Sequence, residues 1–292
     1  MFLKSLLRKV SRVLPDSWFV RISYFFHTKK ILNLRKPQTF NEKLQWLKLY
    51  DCKAEYTRMV DKYEAKKYVA ERIGEEYIIP TLGVWDRFED IDFDGLPNQF
   101  VLKCTHDSGG LVICRDKAKL DIAKARKKIN ESLKINYYWQ GRERPYKDVK
   151  PRIIAEQYME DDSHNHTIED YKVFCFSGRP KFILTVTGGH DDEEKILRRI
   201  YDIQWNKLPI GMHGKPVVEE AEPAPEQLPE LLRLAGVLSE GFPHIRTDFY
   251  VINKHIYFGE LTFYHMSGHV KMEPQEWEYE FGKYIKLPEI RR

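Results

Sequence analysis

The chain has 292 residues, a formal net charge of +4 and four cysteines. That length can build one large domain or two lobes with a substantial core, and no run approaches the roughly 20 consecutive apolar residues that cross a membrane as a helix. The charge is uneven: residues 1–36 hold nine Lys/Arg and one acid, Asp16, so the remainder is mildly acidic, which argues against a general nucleic-acid binder.

In chain order, the opening MFLKSLLRKVSRVLP is interrupted by Lys4, Arg8, Lys9 and Arg12 and lacks a small-residue cleavage site, so it does not read as a secretory signal. Phe2, Leu3, Leu6, Leu7, Val10, Val13 and Leu14 recur at helical spacing with the cations on the other side. Two readings stand: a helix lying on an anionic membrane surface, or a helix docked on the body with a solvated basic face. Residues 37–50 read as a helix start, with Thr39 as N-cap and Glu42 three residues on. Residues 57–73 read as one further helix ending at Gly74. Strands are expected at 78–85, 100–104 and 111–115, the last two joined by THDSGG, and a helix at 117–135. An aromatic, charged stretch, NYYWQGRERPYKD, leads to a strand at 153–159. A hairpin then runs YKVFCF–SGRP–KFILTV, and 188–223 read as irregular. A helix at 226–240 precedes the last hairpin, IRTDFYV–INK–HIYFGELTF. This mixture of helices and antiparallel hairpins predicts α+β lobes rather than a doubly wound parallel sheet. Cys52, Cys104, Cys114 and Cys175 show no C-x-x-C spacing and read as reduced core thiols of a cytosolic protein.

Two places carry chemistry. Ser108, Gly109 and Gly110 join two strands, unlike a Walker loop or a dinucleotide fingerprint, which joins strand to helix. Such glycines still let backbone N–H groups approach a phosphate, and Lys103 ends the incoming strand. A plain hairpin turn is the competing reading. In the last hairpin, strand alternation puts Arg246 and Asp248 on one face. A three-residue turn, Ile252-Asn253-Lys254, would set Arg246 opposite Glu260 and Asp248 opposite Phe258, with Thr262 on the same face. A turn of even length would separate Asp248 from Glu260. Two carboxylates and a hydroxyl suit Mg²⁺, and an adjacent arginine can stabilise a transferring phosphoryl group. A cross-strand Arg246–Glu260 ion pair on a solvated face is the competing reading.

Taken in order, KPQTFNEKLQWLKLYD, MVDKYEAKKYV, FVLKCTHDSGG, PRIIAEQYME, DYKVFCFSGRPKFI, GFPHIRTDFYV and GELTFYHMSG resemble the ATP-grasp superfamily. Within it they resemble the TupA-like family, named for teichuronopeptide synthesis. The resemblance implies two α+β lobes holding ATP between them. It implies a helical extension at 1–56, an N-terminal region at 57–155 with its glycine loop at 105–110, and a C-terminal lobe at 156–292 carrying the metal site. Lys62 and Lys103 would hold the phosphates, with Ser108, Gly109 and Gly110 closing over them. Glu156, Gln157, Tyr158 and Met159 would form the hinge that reads adenine, and Asp161 or Asp162 would bind ribose. Lys172 would act near the phosphate or the substrate carboxylate, and Arg246 would be the catalytic arginine. Asp248, Glu260 and Thr262 would hold one or two Mg²⁺ ions; the threonine replaces the asparagine that many relatives carry. The implied reaction is ATP-dependent ligation of a carboxylate to an amine through an acylphosphate. The implied setting is surface-polysaccharide synthesis in the cytoplasm, at the inner face of the membrane, with an amino acid amide-linked to a uronic acid. Arg142, Glu143 and Tyr146 in the aromatic stretch, with Ser267 and Gly268, are the candidate substrate contacts; a surface lid or an inter-lobe packing segment is the competing reading of that stretch. Two rivals remain: a sugar-nucleotide glycosyltransferase using the D-x-D patterns Asp90-Ile91-Asp92 and Asp92-Phe93-Asp94, and a non-catalytic ATP-binding protein. His164 and His166 read as solvated.

Overall fold

The computed structural model describes residues 12–162, 168–187, 196–212, 214–215 and 217–289. His164, His166 and residues 1–11 of the basic N-terminal segment lie outside the described residues.

Helix α1 (Asp16–Thr28) precedes α2 (Phe40–Tyr50). The capping box expected at α2 is present: the Thr39 side chain accepts from the Glu42 N–H, and the Glu42 carboxylate accepts from the Thr39 N–H. The single helix expected over 57–73 is two, α3 (Glu55–Val60) and α4 (Glu64–Ile73). The break is chemical. The Asp61 carboxylate accepts from the N–H groups of Tyr63 and Glu64 and so starts a new helix, while the Lys62 N–H leaves the helical ladder for the Thr105 carbonyl at 3.0 Å.

Strands β1 (Thr81–Trp85), β2 (Phe100–Cys104), β3 (Leu111–Cys114) and β4 (Ile153–Gln157) form an antiparallel sheet in the order β1-β4-β2-β3. Phe100, Leu102 and Cys104 alternate inward and meet Ala125 and Ile129 of α5 (Ile122–Leu133) in a small core. That alternation turns Lys103 to the opposite face. A short helix α6 (Tyr138–Gly141) opens the aromatic stretch.

The second sheet is larger. Strands β5 (Glu169–Phe176), β6 (Arg179–Thr187), β7 (Leu197–Asp202) and β8 (Lys207–Leu208) continue from β10 (Ile245–Ile252) and β11 (His255–Thr262) in the order β11-β10-β5-β6-β7-β8. Strand β7 corrects the expectation that 188–223 are irregular. A two-stranded sheet pairs β9 (Gly211–Met212) with β12 (Met272–Glu273). Helices α7 (Leu228–Leu238) and α8 (Glu276–Tyr284) complete the large core, which also takes in Met59, Val60, Tyr68 and Val69 of α3 and α4. The four cysteines are free.

Candidate active site

Three adjacent strands of the large sheet turn polar side chains to one face. Asp248 pairs with Lys172 of β5 on one side and with Glu260 of β11 on the other; one rung along, Arg246 pairs with Thr262. This corrects the expected register. The turn has two residues, Asn253 and Lys254, both at positive φ. With that even turn an unbroken ladder would place Asp248 opposite Gly259 and send Glu260 to the other face. A β-bulge between Asp248 and Phe249 absorbs Gly259 and restores the shared face by another route. A Cβ at Gly259 would lie 3.1 Å from the Asp248 carbonyl oxygen, so the bulge favours glycine.

Arg246 organises this face. Its Nε and Nη2 donate to the two oxygens of Asp248, each at 2.7 Å; Nη2 also reaches Glu260 Oε1 at 2.8 Å and Thr262 Oγ1 at 3.1 Å. Nη1 donates to His265 Nδ1, which requires the ring proton on Nε2. Lys172 approaches Asp248 from the other side at 2.8 Å and Asp170 at 2.5 Å. Burial opposes ionisation of Asp248, but Arg246 and Lys172 outweigh it and hold the carboxyl below its usual range. Burial likewise opposes the Lys172 charge, and Asp248 and Asp170 more than offset it, leaving the ammonium raised.

Facing this cluster across one pocket stands Lys62, placed there by the break between α3 and α4. Its buried ammonium donates to the carbonyls of Cys104 and Asp107, at the root of the glycine loop. Desolvation lowers its pKa. In that loop Asp107 is buried and holds Ser132 and the Gly110 N–H, while Ser108 and Gly109 form the exposed tip. A Cβ at Gly110 would sit 2.5 Å from Cys104 Sγ, so close packing, rather than a turn alone, demands glycine there.

The aromatic stretch also reaches the pocket. Glu143, Tyr137, Tyr146, Met266 and Ser267 line it. Glu143 is buried beside Lys48, whose ammonium donates to the Gly141 carbonyl at 2.8 Å and to Ser267 O and Oγ at 2.8 and 3.0 Å. Burial raises the Glu143 pKa against the pull of Lys48, and burial brings Lys48 down to about 8.

The second expected phosphate lysine, Lys103, does not line this pocket. It pairs at 2.5 Å with Glu156, and Lys66 reaches the same carboxylate at 2.5 Å. Burial works against ionising Glu156, but the two ammonium groups prevail and hold it at about 2. Burial pulls the Lys66 ammonium down in turn, its pairing with Glu156 offsetting this only in part. Because the Glu156 carboxyl titrates below its free value of 4.5, the triad stabilises the fold above that pH and loses this contribution as pH falls toward about 2. The depression corresponds to about 3 kcal/mol. Glu156→Gln is expected to start less stable at neutral pH and to show a flatter loss between about pH 5 and 2 in urea unfolding. Parallel pH profiles for wild type and variant would refute this role.

Other candidates are placed elsewhere. Arg142 is not a pocket residue: its guanidinium is buried over Phe19, Tyr138 and Trp139, 3.3 Å from Asp16. Asp161 is buried and accepts from the Asn253 N–H at 2.8 Å, supporting the β10–β11 turn. Gln157 and Met159 lie outside the pocket lining, and the Tyr158 hydroxyl accepts from Arg115 Nε at 3.2 Å. Gly268 sits at positive φ behind the pocket against Gln45. Among the D-x-D acids, Asp92 caps its own turn at Asp94 and Gly95, and Asp90 pairs with Arg87. A wider groove on the outer edge of the small sheet, between β3 and α5, carries Arg115, Lys119, Lys124 and Lys128 and meets none of the candidate site residues. Lys66, Asp170, His265 and Lys48 are site members the sequence analysis missed. Lys66 and Asp170 carried a signal, one helical turn after Lys62 and two strand positions before Lys172.

Among the described residues, no three Asp, Glu, His or Cys side chains converge as a self-sufficient metal site. The donor set nevertheless fits a magnesium ion that arrives with phosphate. Arg246 Nη2 alone touches oxygens of Asp248, Glu260 and Thr262, so all three can reach one cationic point. Mg²⁺ completes its shell with waters and phosphate oxygens.

Residues 42–286 match the TupA-like ATP-grasp family. No curated protein matches the chain. Among solved structures, a D-alanine–D-alanine ligase from Bacillus anthracis complexed with ATP is similar at 16% identity and a TM-score of 0.42, over 70% of this chain and 53% of that one. An L-amino acid ligase from Bacillus licheniformis is similar at 12% identity and a TM-score of 0.44, over 91% of this chain and 56% of that one. The ATP-grasp ligase PsnB complexed with a phosphomimetic variant of minimal precursor, Mg and ADP is similar at 11% identity and a TM-score of 0.41, over 76% of this chain and 57% of that one. The chain spans little more than half the length of these structures. The family match extends from α2 into α8, across both sheets and the pocket, and the chain belongs to the TupA-like ATP-grasp family.

Proposed function

We propose that the chain is an ATP-dependent carboxylate–amine ligase. The observation that carries this reading is one pocket lined by Lys62, Arg246, Glu260 and Thr262 together with a buried carboxyl, Glu143. The first group suits a polyphosphate and a carboxylate; the buried carboxyl suits an amine. Lys62 and Arg246 bind phosphoryl oxygens, Lys103 exchanges Glu156 for phosphate as the loop at 108–110 closes, and residues 156–159 take the adenine. Lys172 fixes Asp248. Magnesium held by Asp248 and Glu260, beside Thr262, would neutralise charge on the transferring phosphoryl group. A substrate carboxylate oxygen attacks the γ-phosphorus and ADP leaves, giving an acylphosphate. The amine nitrogen then attacks the acyl carbon, the bond to phosphate breaks, and the amine proton passes to Glu143.

The family resemblance favours a uronic acid as the carboxylate and an amino acid as the amine, in surface-polysaccharide synthesis. The Tyr137 and Tyr146 rings, 4.9 Å apart and lining the same pocket as Glu143, suit stacking on a sugar. A lipid-carried saccharide acceptor would place the work at the inner face of the membrane.

The test is a melting scan with Mg-ATP and with Mg-UDP-sugars on wild type and Lys62→Met, followed by a substrate-pool screen read as an ATP-dependent mass gain. A ligand at 100 times its Kd adds about 2.7 kcal/mol to stability. Mg-ATP is expected to raise the melting temperature of wild type and to leave Lys62→Met unmoved. Stabilisation by a UDP-sugar and not by ATP would replace the ligase with a glycosyltransferase.

A further inference from the structure

Of the twelve large apolar side chains exposed among the described residues, six fall between Val13 and Ile31. Four form one ridge along α1: Trp18 (62% exposed), Ile22 (42%), Phe25 (47%) and Phe26 (65%). At about 100° per residue they share one side of the helix, directly opposite Val20 and Tyr24, which are buried in the large core. The helix thus has two apolar faces, and among the described residues only one is packed. Arg12, Arg21, Lys29, Lys30, Arg35 and Lys36 are all exposed around the ridge. Asp16, the one acid of this segment, is turned inward, where its carboxylate accepts from the Tyr138 hydroxyl at 2.6 Å and lies 3.3 Å from Arg142.

We infer that α1 docks the protein on an anionic bilayer, with Trp18, Ile22, Phe25 and Phe26 entering the interface and the surrounding cations facing lipid phosphates. An apolar, partly aromatic ridge flanked by Lys and Arg is what an interfacial helix presents, and each cation near such a surface contributes about 1 kcal/mol. A second copy of the chain is a poor cover for this face, because it would set the same cations against each other. No described helix is long and apolar enough to cross a membrane, so the contact is peripheral. The docked helix also touches the stretch that runs into the pocket: Asp16 accepts from the Tyr138 hydroxyl, the Arg142 guanidinium lies over Phe19, and Glu143 and Tyr146 follow in the chain. This inference stands independently of the ligase reading.

The experiment is flotation of the full-length protein with vesicles of phosphatidylcholine alone or mixed with phosphatidylglycerol. Wild type is expected to float with the anionic vesicles only, and less at high salt. Phe25→Ser/Phe26→Ser, which leaves the charge unchanged, should weaken binding about tenfold with an unaltered melting temperature. Lys29→Glu/Lys30→Glu should weaken it as well. In the native protein, brominated lipid should quench Trp18, read as the difference between wild type and Trp18→Phe. Flotation without that quenching, or equal flotation of wild type and the serine variant, would overturn the proposal. So would absence of flotation together with a dimer that the serine variant dissolves, which would assign the ridge to a second copy.

Discussion

Arg246→Lys is expected to lower kcat/KM by about 10²–10³-fold while the protein still folds. Lysine keeps one charge at this position but loses the planar fork, and the fork is what lets one side chain hold both Asp248 oxygens, Glu260, Thr262 and His265 together. Arg246→Ala should do more. It leaves Asp248 fully buried with Lys172 as its remaining cationic partner and should cost about 3–5 kcal/mol of stability, since removing one member of a buried ion pair strands the other. The two variants separate positioning from charge: both lose turnover, measured as ADP release, and only alanine shows a large fall in melting temperature. Full turnover in Arg246→Lys would remove the arginine from the chemistry.

Glu143→Gln should divide the reaction. The amide keeps the shape of the side chain but cannot take a proton from an attacking amine, so the coupled product should fall by about 10²–10⁴-fold. Mg-ATP should still stabilise the variant, because the substitution leaves Lys62 and Arg246 and their partners in place. The acylphosphate should also still form, and hydroxylamine, which needs no base at its reacting nitrogen, should trap it as a hydroxamate at near wild-type rate. Loss of hydroxamate together with loss of product would move Glu143 from the second step to the first. A Lys48→Met companion should raise the Glu143 pKa further, since Lys48 is the strongest influence holding that carboxyl down.

What could be read in the sequence was mostly local. The Thr39–Glu42 box closes within four residues, and nothing distant competes with it. The alternation that put Arg246, Asp248, Glu260 and Thr262 on one face survived because side chains alternate along each strand and the bulge at Gly259 brings the two strands back into step. The turn did not survive. Asn253 and Lys254 both adopt positive φ without a glycine between them, so the usual sign of a two-residue hairpin was missing. The useful clue was Gly259, since a glycine inside a strand pattern marks a bulge. The break at Asp61–Lys62 was hidden for a different reason: helix-forming residues flank it on both sides, and the hydrogen bond that opens it goes to Thr105, far along the chain just after β2. Arg142 was misplaced because a charged residue among aromatics reads equally as a ligand contact or as a cation packed on rings, and only the tertiary arrangement separates the two.

The cations in and around the cleft are already answered from within the protein. Lys103 has Glu156, Lys172 has Asp170 and Asp248, Arg246 has Asp248 and Glu260, and Lys62 rests on two carbonyls. A free phosphate or sulfate ion that enters must compete with carboxylates held in place at no translational cost, and it can displace only one at a time. A nucleoside triphosphate displaces several in one event and brings its own divalent cation for the carboxylates it frees. The cleft therefore discriminates by the number of groups exchanged at once. With its charges cancelled at short range it projects little field into solvent, so arrival of the nucleotide should owe more to diffusion than to long-range attraction and should vary little with ionic strength.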